Sequence, residues 1–206
     1  MGTLLAIVLA GALAPATAVE PGTWFNSKDQ PKTALAVAER GPIAYRIDVA
    51  PDGKALRCEA QGNTDLDRKV CEVVMKRARF LPAVDAAGQP SFGVYDGVAS
   101  FLLPGKNSRR PDRAKLVVVV DRLPERIASP AFARVAFLVD GTGAIGLCAS
   151  TAGERRRFMQ TVEALGPPAC ENIAKDYRPA PARNAAGDAV ASVQSAMVRF
   201  ELRQTP

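Results

Sequence analysis

The sequence predicts an α+β protein built of two tandem units, each a small antiparallel sheet with a helix packed on one face. Three observations predict it. A long-range internal repeat spans most of the chain, period-two apolar alternation is punctuated by glycine turns, and each repeat carries one amphipathic helical stripe. The 206 residues, with 48% hydrophobic, 23% charged and 6% aromatic side chains, supply enough apolar mass for one large core or two small ones.

The repeat is read position by position. Tyr45, Ile47 and Val49 fall on Val135, Phe137 and Val139, and the same offset places Gly53 on Gly143 and Cys58 on Cys148. After a longer helical region in the second copy, Cys71-Glu72 matches Cys170-Glu171, Arg79 matches Arg178, and Pro82-Ala83 matches Pro181-Ala182. Both copies close on an apolar alternation, with Ala99, Phe101 and Leu103 opposite Val198, Phe200 and Leu202. Leu35–Arg40 also echoes Val117–Arg122, so each unit is expected to begin with a further strand.

The opening residues, Met1 to Ala18, contain an apolar run too short to cross a bilayer, which takes roughly 20 residues. The run ends in Ala16-Thr17-Ala18, small residues of the kind a signal peptidase reads, although no Lys or Arg precedes it. Residues 1–18 are therefore expected to be a cleaved leader, with the mature chain starting near Val19 in an oxidising compartment and carrying no transmembrane span. Trp24-Phe25 is expected to pack on the first sheet.

In the first unit, residues 28–104, Ala44 to Val49 alternates apolar and polar as a half-buried strand does. Pro51-Asp52-Gly53 reads as a turn, and the next strand carries Leu56, Cys58 and Ala60. Thr64 followed by Asp67 reads as a capping box, opening a helix from about Leu66 to Ala78 whose apolar stripe is Leu66, Val70, Val73 and Val74. The closing strand runs from about Val94 to Leu103. Residues 105–113, polar and rich in Pro, Gly and basic side chains, read as a linker. The second unit, 114–206, repeats the plan around the turn Asp140–Gly143. Its helical region is expected to have Phe158, Val162 and Leu165 at helical spacing. A break at Gly166-Pro167-Pro168 is then expected, followed by a short helix bearing Cys170 and Ile173.

Two features bound the chemistry. The chain has no histidine, which removes Ser-His-Asp and Cys-His triads and every His-ligated metal site. It has four cysteines, which allow three connectivities that sequence alone cannot rank; the repeat favours Cys58–Cys71 and Cys148–Cys170, strand to helix within each unit. Bridges of that span would each stabilise a unit by about 3 kcal/mol through loop-closure entropy. A redox couple would normally be Cys-x-x-Cys and a zinc site two close pairs; neither pattern occurs. No catalytic residue, metal or cofactor is assigned.

The run Pro51-Asp-Gly-Lys-Ala-Leu-Arg-Cys58, then Leu66-Asp67, then Arg77-Ala-Arg-Phe-Leu-Pro-Ala83 resembles the TonB C-terminal domain family. The second unit, from about Pro124 through Tyr177–Ala182 to Leu202, is similar as a more divergent copy. The resemblance implies a periplasmic, non-catalytic domain that binds an envelope or outer-membrane protein, whose extended segment adds as a strand at a sheet edge. By that analogy the candidate edges are the closing strands, at Val94, Asp96, Val98, Ser100 and Leu102 in the first unit. In the second they are Ser192, Gln194, Val198, Arg199 and Glu201. The same edges could instead pair the two units with each other, giving a pseudo-dimeric, self-contained envelope scaffold. The family's Arg-Trp-Arg-Phe tryptophan is replaced by Ala78 in one copy and Tyr177 in the other, and the membrane anchor and Pro-rich spacer of energy-transducing members are not seen. An extracytoplasmic enzyme or thiol-redox factor is the remaining alternative.

The basic clusters Arg109, Arg110, Arg113 and Lys115, and Arg155, Arg156 and Arg157, are read as solvated linker and helix faces, with no nucleic-acid motif beside them. Asp140-Gly-Thr-Gly143 lacks the Lys-Ser/Thr of a phosphate loop and reads as a hairpin turn.

Overall fold

A computed structural model describes residues 13–29, 42–62, 64–101, 112–151 and 161–204. Residues 1–12 of the expected leader, the expected strand at Leu35–Arg40, most of the linker and Phe158 lie outside the described residues. So do Leu102, Leu103, Arg109, Arg110 and Arg155 to Arg157.

The elements in chain order are β1 (Thr17–Ala18), β2 (Ile43–Val49), β3 (Ala55–Ala60), α1 (Asp65–Arg77), β4 (Phe80–Leu81), β5 (Ala83–Val84), β6 (Pro90–Ser91) and β7 (Gly93–Ala99). The second unit adds β8 (Ala114–Val120), β9 (Ala131–Val139), β10 (Ile145–Ser150), α2 (Gly166–Asp176), β11 (Ala182–Arg183), β12 (Ala189–Val190) and β13 (Ser192–Leu202). The α+β class holds, in a mixed arrangement of strands with two α-helices.

The local signals act as the chemistry requires. Pro51 to Gly53 turns the chain between β2 and β3, with Gly53 at φ 81° and closed by Gly53 N–H to Ala50 O at 2.9 Å. A Cβ on Gly53 would lie 2.2 Å from the Phe80 carbonyl oxygen, so the left-handed backbone and the close approach both demand glycine. Gly143 repeats the geometry at φ 90°. The capping box at α1 is complete: Asp67 N–H donates to Thr64 Oγ1, and Thr64 N–H donates to Asp67 Oδ2 at 2.9 Å.

The second helical region departs from expectation. Val162 is extended (φ −101°, ψ 113°) and donates its N–H to Phe132 O at 2.8 Å, so no helix passes through it. Leu165 ends a single 3₁₀ turn, and α2 starts at Gly166 with Pro167 and Pro168 in its first turn, where their missing N–H groups cost nothing.

One seven-stranded sheet contains the main strands of both units. Its order is β10-β9-β13-β7-β2-β3, with β8 also bonded to β13. Strands within each unit pair antiparallel except β8, which runs parallel to β13, and the units meet where β13 and β7 also run parallel, Val193 opposite Gly93, with Val193 N–H donating to Phe92 O at 2.9 Å. Tyr45, Ile47 and Val49 join Val70 and Val74 of α1 in one core, while Phe137, Val198 and Phe200 join Ala169 and Ile173 of α2 in another.

Strand alternation then fixes the relation of the two helices. Val193 belongs to the α1 core, whereas Ala196, Val198 and Phe200, of opposite parity on the same uninterrupted β13–β9 register, belong to the α2 core. The helices therefore cover opposite faces of the sheet, as a two-fold axis running along the strand direction at the β7/β13 seam would place them.

The C-terminal end of the expected leader, residues 13–18, packs on the first unit. Leu13 and Ala16 are buried in the α1 core, Ala14 exchanges two backbone hydrogen bonds with Val84 (3.0 and 2.8 Å), and β1 pairs antiparallel with β4. These residues are part of the fold. Trp24 is buried as expected and stacks edge-on with Phe80 and Tyr95, at centroid distances of 5.4 and 6.1 Å.

Candidate functional site: sheet edges and the inter-unit seam

The four cysteines form the two bridges Cys58–Cys71 and Cys148–Cys170, with Cα–Cα distances of 5.4 and 5.7 Å. Each bridge ties one outer strand of the sheet, β3 or β10, to the helix of its own unit. The two ends of the sheet are thus the stapled strands. Both also carry register shifts against their neighbours, which locally disrupt an edge for strand addition.

The closing strands, which were the candidate edges, lie in the middle of the sheet. Ser192 to Phe200 pairs with β9 on one side, and Met197 to Leu202 pairs with β8 on the other. Val198 and Arg199 are therefore paired on both sides, whereas Ser192 and Gln194 pair with β9 alone and Glu201 with β8 alone. The repeat could not announce this, because β8 takes the position by a parallel pairing that no local alternation specifies.

The first unit differs. Alternate residues of a strand send their main-chain groups to alternate edges. Phe92 O faces β13, so the N–H and C=O groups of Val94, Asp96 and Val98 face the same way. Past Gly93 no described strand bonds to that edge of β7. Lys115 of β8 reaches across to Asp96, Nζ to Oδ1 at 3.1 Å. Ser100 follows the end of β7, and Leu102 lies outside the described residues.

The polar groups of the molecule concentrate at the seam. Arg46 Nη2 donates to the carbonyl oxygens of Ala180 (2.9 Å) and Pro181 (3.2 Å) of the other unit, and sits 3.5 Å from Asp48 Oδ1. Asp48 is only 5% exposed and accepts the Arg183 N–H at 3.1 Å. Burial pushes its carboxyl above the usual carboxylate range, opposed by the Arg46 charge and the Arg183 N–H. Gln194 Nε2 adds a bond to Ala180 O at 2.9 Å and Ala182 N–H one to Ser192 Oγ at 3.4 Å. Arg46 and Asp48 occupy the polar positions of the alternating β2 pattern. Their alternation showed that they leave the α1 core, but nothing in the sequence showed what they meet.

Elsewhere, Arg77 holds Asp29 with two hydrogen bonds (2.6 and 3.2 Å), which with the Asn26 N–H keeps that carboxyl below its ordinary range. Asp140 is lowered by the Thr142 hydroxyl and the Ala144 and Thr142 N–H groups, the signature of a hairpin turn and not of a phosphate site. Of the basic clusters, Lys115 is engaged as above. A shallow open groove of about 650 Å³ runs between Pro51–Asp52 and Asn184–Ala186, and its two charged groups, Asp52 and Lys54, pair with each other at 2.6 Å. Among the described residues no three acidic or cysteine side chains converge as a metal site would need, and no helix is long and apolar enough to cross a membrane. Comparison of the chain with protein-family models, with curated proteins and with solved structures finds no match.

Proposed function

We propose that this chain is a non-catalytic protein–protein interaction protein of the periplasm, in which β7 of the first unit accepts an extended strand from an envelope or outer-membrane protein. The observation that carries the proposal is the one-sided bonding of β7: Val94, Asp96 and Val98 direct main-chain donors and acceptors to an edge that pairs with a described strand only at Gly93. The two disulfides favour an oxidising compartment, where such bridges persist. The TonB-like motifs supply the mode of contact by resemblance.

The test is site-specific photocrosslinking from Asp96 in cells, compared with and without Val98→Pro. Val98 directs its N–H away from β2, so proline removes an outward donor and spares the β2 ladder. Strand addition predicts a discrete crosslinked partner that is lost in Val98→Pro while the unfolding midpoint stays within about 2 °C. A partner captured equally by both proteins would refute strand addition at β7.

A second reading is favoured by the enclosure of β13. The two units would form a self-contained envelope scaffold whose edges serve each other. That reading predicts no discrete partner from Asp96 at all, and crosslinks confined to the chain itself.

A further inference from the structure

We propose that Lys115 guards the open edge of β7: its ion pair with Asp96 holds off second copies of this chain, and gives way to a partner strand that displaces it. The proposal rests on the reading of β7 as a strand-accepting edge and names how that edge is regulated.

An unpaired strand edge is a template for any extended chain, so a protein that keeps one open has to protect it. At its two ends the sheet is protected by structure. β3 and β10 carry register shifts against their neighbours, and each is tied by a disulfide to the helix of its own unit. β7 has neither device. It pairs with β2 without a shift from Gly93 to Ala99, so its other edge is regular, and past Gly93 no described strand bonds to it.

What approaches that edge is a charged side chain. β13 bonds β7 at Val193 and β8 from Met197 onward, both on the edge away from β9, so β8 lies on the open side of β7. Lys115 is the residue that the β8–β13 ladder leaves over: Met197 pairs with Ala114 and Val198 with Leu116. An extra residue of this kind re-aims its side chain out of the regular pattern. Lys115 sends its Nζ to 3.1 Å from Asp96 Oδ1. Asp96 is also a residue whose main-chain N–H and C=O face the open edge, so a strand bonding there meets the lysine arm. Arg46, opposite Asp96 on β2, is directed instead to the Ala180 and Pro181 carbonyls and to Asp48.

The strength of the pair suits a guard and not a seal. The Lys115 and Asp96 side chains are 34% and 40% exposed, so the pair biases the edge by no more than about five-fold. One partner strand displaces one pair at that cost. Two copies meeting edge to edge displace two, so removing the lysine charge should tighten self-association by up to about 25-fold.

The test is sedimentation velocity of the full, oxidised chain over a wide concentration range. It is run at about 0.01 M and 1 M salt, where charges are screened beyond roughly 30 Å and 3 Å. At low salt Lys115→Met and Asp96→Asn should each dimerise up to about 25-fold more tightly than the parent, and Lys115→Arg should match the parent. Adding Val98→Pro to Lys115→Met should abolish the gain, and high salt should bring the parent toward Lys115→Met. Equal self-association of parent and Lys115→Met at low salt overturns the guard. So does a gain that survives Val98→Pro, because it then arises away from β7. Photocrosslinking in cells from Ser100, exposed just past β7, leaves the ion pair intact and separates this proposal from the reading it rests on. A Val98-dependent partner captured equally by parent and Lys115→Met overturns the guard and keeps strand addition. A β7-dependent gain in self-association with no partner captured keeps the guard and overturns the envelope partner.

Discussion

The seam between the units can be tested through Arg46. Replacing it with methionine keeps most of the buried stem and removes the guanidinium, which bonds two carbonyl oxygens of the other unit and faces the buried Asp48. A hydrogen bond from a charged donor contributes about 1.5–3 kcal/mol. Ala180 O retains its bond from Gln194, so only part of one contact is lost outright. The variant also leaves Asp48 with the Arg183 N–H as its remaining compensation at this site. Together these give an expected loss of about 2–3 kcal/mol for Arg46→Met. Asp48→Asn removes the charge that Arg46 offsets, so the double variant should be about 1–2 kcal/mol more stable than the sum of the single changes.

The assay is equilibrium denaturation read by two probes. Trp24, the single tryptophan, reports the first unit, and far-ultraviolet circular dichroism reports both. With one sheet shared by the units, the two transitions should coincide in the parent protein. Additive effects of Arg46→Met and Asp48→Asn within about 0.5 kcal/mol would refute the proposed coupling. An Arg46→Met loss below about 0.5 kcal/mol would refute the seam as a stabilising contact.

Three other outcomes are expected. Reducing either disulfide, or replacing Cys58 and Cys71 or Cys148 and Cys170 pairwise with alanine, should cost about 3 kcal/mol per bridge in denaturant titrations. Non-reducing intact mass should show four hydrogens fewer than the reduced chain. Because folding raises the Asp48 carboxyl, that group contributes stability below its unfolded value near 4, and the contribution is lost as pH rises through that value toward the raised one. Asp48→Asn should therefore compare more favourably with the parent at pH 7 than at pH 3, as measured by melting across pH. Phe137→Ala, at a fully buried site of the α2 core, should cost about 3–5 kcal/mol by chemical denaturation.

The elements of each unit were legible because local chemistry decides them. Thr64 and Asp67 cap α1 by their own side chains, Gly53 and Gly143 turn the chain through a backbone conformation that few other residues adopt, and the alternation from Ile43 to Val49 separates core from exterior. The failure at Val162 has an equally local cause. Its spacing from Phe158 and Leu165 fits a helix, but its N–H is taken by Phe132 O on β9, a pairing 30 residues distant that periodicity cannot register. The assembly of the units was legible only as a choice between open and mutually paired edges. Parallel pairing of β13 with β7 at a single residue pair, and with β8 beyond it, has no signature in either strand's own pattern.

The same limit applies to the opening residues and to the closing strands. A run such as Leu13 to Ala18 satisfies the composition of a peptidase site and of a small-residue strand at once, because both need alanine for lack of bulk. In the fold Ala16 lies against Gly93, where an added Cβ would come within 2.9 Å of the Ala16 Cβ. The closing strands show the converse. β7 and β13 carry matching apolar patterns, yet β13 has neighbours along both edges and β7 has its second neighbour only at Gly93 among the described residues. A duplicated sequence thus supports an unequal pair of edges. If the chain receives a strand from another protein, the first unit is where its main chain offers the bonds to hold it.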